Sequence, residues 1–327
     1  METLMERRNE IDREIRELYR KRMELNEEMQ SGKVATDLRQ ILQESIENTE
    51  KTFPEYATVA CQGVEGAYSE AAARKLFKYP GIMYFRNFEN IFSAIESGMC
   101  EYGILPIENS TAGSVNKTYD LMCDHKFYIV RSIRLRIEHS LMVKPGVKIE
   151  DIREIYSHQQ AFAQCEKTLR AKLGDVKHTM VSNTAEAARM VAESTTGDKA
   201  AICSPECEAL YGLQALIPEI QDQDNNYTRF ICITKKPAIY AGADKTSFLA
   251  VLANKPGSLY EVLKKFNDIG YNLIKLESRP IPDTEFQFMF YFDFEASVYQ
   301  KDFIDTMCEL ERICEKMEYL GSYTEKI

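Results

Sequence analysis

Asn225-Asn226-Tyr227-Thr228-Arg229-Phe230 sets amide, hydroxyl and guanidinium groups against the apolar run Phe230-Ile231-Cys232-Ile233. Polar groups therefore stand at the mouth of a buried strand, where an α/β protein gathers contacts to a small polar ligand. An ordinary loop, with Asn turning the chain, explains the same residues. A second set fills residues 106–115. There, three hydroxyls (Ser110, Thr111, Ser114), Asn109 and Gly113 offer donors to a carboxylate, and capping the next helix accounts for only one of them. A third set is Ser157-His158 followed by Gln160 and Gln164, two amides one turn apart on one helix face. Gly63 and Gly66 let backbone N–H groups approach an anion at a helix start, although any strand-to-helix turn uses glycine.

The elements that position these groups alternate. Strands are expected at residues 57–61, 102–105, 154–156 and 200–203, and helices at 70–77, 90–96 and 115–122. Asn183-Thr184-Ala185-Glu186 reads as a capping box, which structure alone explains. From residue 246 the order is strand 246–253, helix 257–269, strands 273–278 and 286–294, helix 301–314 and strand 318–322. That βαββαβ order is the ferredoxin-like pattern.

At 327 residues, with 44% hydrophobic and 28% charged, the chain has length for two or three units that each bury a core. The net charge of −10 and the lack of a Lys/Arg run argue against nucleic-acid or membrane-surface partners. Nine cysteines without a C-x-x-C pair read as reduced thiols of a cytoplasmic protein. Residues 1–13 show no signal peptide, no apolar run is long enough to span a bilayer, and the four histidines have no ligand spacing, so no metal is expected. Within residues 1–50, Leu4, Ile11, Ile15, Leu18, Leu25 and Met29 form one helix face that also carries Arg8 and Arg22. A cation on an apolar stripe needs an anionic partner or a route to water.

Taken in series, Gln62-Gly63 with Gly66-Ala67-Tyr68-Ser69, Pro106 to Ser110 with Gly113-Ser114-Val115, Ser157-His158 with Gln164-Cys165, and Thr228-Arg229-Phe230 resemble prephenate dehydratase in order and spacing over residues 57–237. The resemblance implies a multidomain α/β and α+β chain whose catalytic domain has two lobes of the periplasmic-binding-protein kind, one inserted in the other, with a cleft between them. It implies Thr228, Asn109, Ser157 and Gln164 as catalytic residues. Ser69, Ser110, Thr111, Gly113, Ser114, Arg229 and Phe230 are the further candidates for substrate contact. Prephenate carries two carboxylates and a ring hydroxyl, and its aromatisation supplies a large driving force, so the resemblance implies no cofactor.

Residues 244–327 resemble an ACT regulatory domain of the type that binds phenylalanine. Its signatures map onto Gly257-Ser258-Leu259-Tyr260, with Ser258 and Tyr260 departing from the usual small apolar form, and onto Glu277-Ser278-Arg279-Pro280. The implied assembly is a homodimer or homotetramer with effector bound between paired domains. Residues 1–52 resemble a reduced AroQ-type chorismate mutase, with Arg8, Arg22 and Lys33 as remnant cations. Met5 holds the first arginine position, and residues 34–56 are too few for the remaining helices, so no mutase activity is expected and residues 1–50 should be dispensable for turnover. The leading function is a prephenate dehydratase inhibited by phenylalanine. The alternatives are a bifunctional chorismate mutase/prephenate dehydratase, an arogenate dehydratase, and a non-catalytic amino-acid-binding regulator.

Overall fold

The computed structural model describes residues 38–49, 52–122, 124–281 and 287–327. Arg8, Arg22 and Lys33, the mutase-like cations, lie outside them. In chain order the elements are α1 (Leu38–Glu47), β1 (Tyr56–Gln62), α2 (Tyr68–Leu76), β2 (Tyr79–Phe85), α3 (Phe88–Glu96), β3 (Tyr102–Asn109), β4 (Gly113–Ser114), α4 (Asn116–Met122), β5 (Tyr128–Arg136), β6 (Ser140–Val143), β7 (Glu154–Ser157), α5 (Gln159–Leu173), β8 (Lys177–Met180), α6 (Thr184–Glu193), β9 (Lys199–Cys203), α7 (Cys207–Tyr211), β10 (Gln214–Ile217), β11 (Tyr227–Thr234), β12 (Lys245–Val251), α8 (Ser258–Ile269), β13 (Asn272–Pro280), β14 (Phe288–Glu295), α9 (Phe303–Ile313) and β15 (Lys316–Lys326).

Two lobes divide the first two-thirds of the described chain. Lobe I is a sheet in the order β2-β1-β3-β11-β5, and lobe II a sheet in the order β10-β6-β9-β7-β8. The chain leaves lobe I after β5 through residues 137–139 and returns by residues 218–226 into β11, so lobe II is an insertion in lobe I. The crossovers are tied by Ile137 N to Asn226 O at 2.8 Å and Ile220 N to His139 O at 2.8 Å. Each sheet is covered on both faces, which is why its central strands read as unbroken apolar runs. In lobe I, α2 covers one face with Ala72 and Ala73, and α3 and α4 cover the other with Ile91, Phe92 and Tyr119. In lobe II, α5 packs Phe162, Cys165 and Leu169 on one face and α6 packs Ala185, Ala188 and Val191 on the other. Asn183 caps α6, accepting Glu186 N at 2.8 Å.

The C-terminal unit has the expected βαββαβ order and an antiparallel sheet β13-β14-β12-β15. One face is covered by α8 and α9 together with α1, whose Leu38 and Leu42 are buried beside Phe248, Phe292 and Phe303. Residues 38–47, grouped with the N-terminal segment on sequence, thus pack into the C-terminal core. The other face lies on lobe I, with the Tyr119 and Tyr291 rings 5.2 Å apart.

The last strand runs past its expected end at residue 322 to Lys326, because Thr324, Glu325 and Lys326 pair with Arg131, Ser132 and Ile133 of β5. One sheet consequently continues from β13 to β2 across both units. The strand pairs with β12 through Tyr323, shifting register beside Gly321, where φ is +140° and a Cβ would stand 2.1 Å from the Ile129 carbonyl oxygen of β5. Only glycine fits there.

Candidate active site

Between the lobes lies a cleft of about 310 Å³, lined by Asn109, Thr228 and Phe230 from lobe I and by His158, Gln164 and Asn183 from lobe II, among others. Three helices begin at it. The residues just before α2, α5 and α6 (Ala67, His158 and Asn183) all line the cleft, so three positive dipole ends converge on it. No Asp, Glu, Lys or Arg side chain is among the described lining residues. The cleft is lined by neutral dipoles, the kind of surface that suits an anion.

Its central pair comes from sheet register, with Thr228 of β11 standing opposite Asn109 of β3. Asn109 Oδ1 accepts Thr111 N–H at 3.0 Å and Ala112 N–H at 2.8 Å, which distinguishes the oxygen from the nitrogen of this amide. Asn109 Nδ2 therefore donates, to Asn226 Oδ1 at 2.9 Å and to Thr228 Oγ1 at 2.9 Å. With its oxygen occupied by that N–H, the Thr228 hydroxyl keeps its own proton for the cleft. From lobe II, Gln164 Nε2 donates to Thr111 Oγ1 at 3.0 Å, closing the site across the lobes. Its Oε1 lies 3.0 Å from His139 Nε2. Burial pushes the His139 pKa down to about 4 and lowers that of His158, so both rings are neutral near pH 7. Among the described residues no group of three His, Cys, Asp or Glu side chains could hold a metal ion.

Comparison with known protein families matches residues 59–238 to prephenate dehydratase. The chain belongs to the prephenate dehydratase family. It is 38% identical over 294 residues to arogenate dehydratase/prephenate dehydratase 2 of Arabidopsis thaliana, covering 86% of this chain and 75% of that one. Among solved structures it is similar to the prephenate dehydratase of Arthrobacter aurescens in complex with L-Phe, at 31% identity and a TM-score of 0.75 over 82% of this chain and 89% of that one. It is also similar to GqqA, described as a novel type of quorum quenching acylase, at 30% identity and a TM-score of 0.73 over 81% and 97% of the two chains. The α/β lobes thus form the two-lobed, periplasmic-binding-protein-like fold of prephenate dehydratases.

Within this dehydratase fold, several candidate residues take places other than those expected. Arg229 does not reach the cleft. Adjacent residues of a strand face opposite sides, so with Thr228 and Phe230 turned inward Arg229 points outward. There it lies buried, its Nη1 2.5 Å from Asp293 and its Nε 2.7 Å from Glu325, the latter contact poorly aligned for a hydrogen bond. Burial opposes this charge, but Tyr323, Asp293 and Glu325 hold the guanidinium protonated. Ser157 is wholly buried at the end of β7, and its hydroxyl donates to Ile202 O at 2.7 Å instead of facing the cleft. Ser69 lines the cleft while donating to Gln62 O at 2.6 Å. Ser110 ties its loop to the return crossover by donating to Asn225 O at 2.7 Å. Gly113 supplies the +81° turn between β3 and β4.

Ser114 turns away to the C-terminal unit and donates to Glu277 Oε2 at 2.5 Å. Arg279 reaches Asp120 of α4 at 2.8 Å. Gly257 opens α8 at φ +91°, Ser258 is buried beside it, and Leu259 packs on the C-terminal core. Ser278 and Pro280 lie along β13. Neither effector signature lines the cleft. The glycine turn is no free anion cradle, since Gly63 N goes to Phe85 O at 2.8 Å and Gly66 N to the Glu70 carboxylate at 2.6 Å. The helix starts beyond it are the groups that open on the cleft.

Proposed function

We propose that this chain expels carbon dioxide and water from prephenate to give phenylpyruvate, with phenylalanine restraining it through the C-terminal unit. The observation that carries the first half is that the Thr228 hydroxyl accepts from the amide of Asn109 at the cleft, which leaves its own proton to donate. In the reaction the bond to the ring carboxylate breaks and its electron pair enters the ring. The bond to the ring hydroxyl breaks as well, and that hydroxyl, keeping its own hydrogen and taking one further proton supplied from solvent, leaves as water. A Thr228 O–H aimed at the departing oxygen stabilises the charge developing on it, by roughly 3–4 kcal/mol for a well-placed donor. The substrate carboxylates fall to the helix starts, where dipoles hold an anion without a titrating partner.

The absence of a carboxylate among the described lining residues favours prephenate over arogenate, because the arogenate ammonium finds no counter-charge there. A nucleophilic acyl-transfer reading, suggested by the acylase neighbour, lacks its pair of groups. Ser69 and Ser157 donate to backbone carbonyls and Thr228 sits against Asn109, so among the described residues none of these three hydroxyls is paired with a histidine, and the hydroxyl that does meet one, Tyr68 on His139, is a buried phenol kept neutral.

For the second half, the βαββαβ unit reads as a ferredoxin-like ACT domain, and the neighbour solved with L-Phe supports phenylalanine as effector. Gly257, Ser258 and Leu259 with Glu277 to Pro280 are the proposed effector contacts, between units paired in a homodimer or homotetramer. The test is to incubate the purified chain separately with prephenate and arogenate and identify the products. Phenylpyruvate from prephenate, formed faster than phenylalanine from arogenate, is expected. No aromatic product from either would overturn the reading.

A further inference from the structure

We propose that His139 is a positioning residue for this reaction: its Nε2–H fixes the amide of Gln164 and, through the bond from Gln164 to Thr111, holds lobe II in place against the Asn109–Thr228 pair. The proposal rests on the reading of Thr228 above. The polarity of the chain is set at one end by backbone. Because Asn109 Oδ1 takes the N–H groups of Thr111 and Ala112, that amide cannot be reversed. The single proton of Thr111 goes to the same oxygen at 2.7 Å, so its hydroxyl accepts from Gln164 Nε2. Gln164 Oε1 is then left facing His139 Nε2, and only an N–H satisfies it.

The ring thus presents a bare Nδ1 at 3.0 Å to Tyr68 OH, whose proton goes first to the Glu138 carbonyl at 2.5 Å and reaches the ring only as the longer arm of a shared, three-centre bond. Tyr68 is the titratable side chain in direct contact with the ring, and burial pushes its pKa well up, so it stays neutral. A histidine depressed to about 4 is the uncharged partner this polarity requires. Its place in the fold adds a second reason. His139 belongs to the outgoing crossover, and its N–H goes to Gln221 Oε1 at 2.9 Å while its carbonyl takes Ile220 N from the returning one. The backbone that joins the lobes therefore carries the ring that orients the amide of lobe II.

Two measurements test this. In protein labelled with 15N-histidine, with His139→Gln identifying the resonance, NMR at neutral pH should show the neutral Nε2–H tautomer. An Nδ1–H tautomer or a charged ring overturns the proposal. In turnover of prephenate, His139→Leu should lower kcat about tenfold or more with a small change in KM, since a misaligned donor loses transition-state stabilisation. His139→Gln, whose amide can still donate to Gln164, should retain most of it. In a Gln164→Leu background the His139→Leu change should cost little more, because the pair acts as one unit. Independent, multiplying losses overturn the proposal. A wild-type chain inert toward prephenate would sink the functional reading instead, and the tautomer would still decide how the network runs.

Discussion

Ser114 and Glu277, 163 residues apart in sequence, share a hydrogen bond of 2.5 Å from hydroxyl to carboxylate. Ser114 ends the loop that begins at Asn109, and Glu277 belongs to the proposed effector signature on β13. Lys275 braces both sides, 2.9 Å from Ser114 Oγ and 3.3 Å from Glu108. An effector ammonium drawn to Glu277 would compete with Ser114 for that carboxylate, which couples the two sites through a contact that differs between states. Glu277→Gln should raise the phenylalanine concentration for half-inhibition by about tenfold or more while uninhibited kcat stays within about twofold. Unchanged sensitivity would place the effector elsewhere.

Thr228→Val keeps the shape of the side chain and removes its proton. The kcat for prephenate should fall by on the order of 10² or more with a modest change in KM, the pattern of a donor used in the transition state. A Val variant with near-normal kcat would end the assignment.

Arg229 has a different fate from its neighbour. Its guanidinium is buried against Asp293 and Glu325, so Arg229→Ala leaves the buried Asp293 carboxylate without its cation, while Glu325 keeps Arg134 at 2.7 Å. Breaking a buried pair from one side costs about 3–5 kcal/mol. The variant should show a lowered Tm or poor folding, and whatever protein remains folded should have a nearly normal KM. A stable variant with a raised KM would return Arg229 to the substrate.

Acid stability follows from His139. Its pKa is depressed to about 4 by burial, against about 6.5 in an unfolded chain. The unfolded state therefore binds more protons between those values, and the contribution of this group, full above about pH 6.5, is lost as pH falls toward 4. Denaturant midpoints measured from pH 8 to 4 should fall over this window, and the fall should be shallower in His139→Gln. Equal slopes in the two proteins would count against a buried neutral ring.

Removal of residues 1–37 should leave prephenate turnover in place. Removal of residues 1–50, expected on sequence to alter assembly or solubility while leaving turnover in place, also takes Leu38 and Leu42 out of the C-terminal core and should lower Tm. Neither the full chain nor the shorter form should convert chorismate, because Met5 supplies no cation where the mutase pattern places an arginine. Chorismate consumption well above background by the full chain would make the protein bifunctional.

How much of this was legible depends on the element each residue occupies. Asn109 and Thr228 stand at the ends of long strands flanked by polar turns, and both line the cleft. Strand alternation was also available to separate Arg229 from Thr228, since consecutive residues cannot share a face. Ser157 closes a strand of only four residues, too short for any pattern to tell mouth from interior. His139 lies in a three-residue crossover with no periodicity, and its role depends on partners from α2, α5 and the returning chain. Strand β2 escaped because Pro80-Gly81 reads as a breaker, yet β2 is the outermost strand of the sheet, where proline is tolerated.

Gly321 bears on how such a protein can be recombined. Because β15 packs closely on Ile129 of β5 there and pairs with β5 from Thr324 on, the C-terminal unit does not end where the catalytic lobes begin, and its last residues pair into the sheet of lobe I. A chimaera cut at the connecting segment near residue 240 would import a foreign edge strand beside β5, along with whatever ligand preference was wanted. Exchange of sensing units between homologues should succeed only where the donor tail carries a glycine at this bend and a side chain able to replace Glu325 beside Arg229. Affinity tags are likewise better placed at the other terminus.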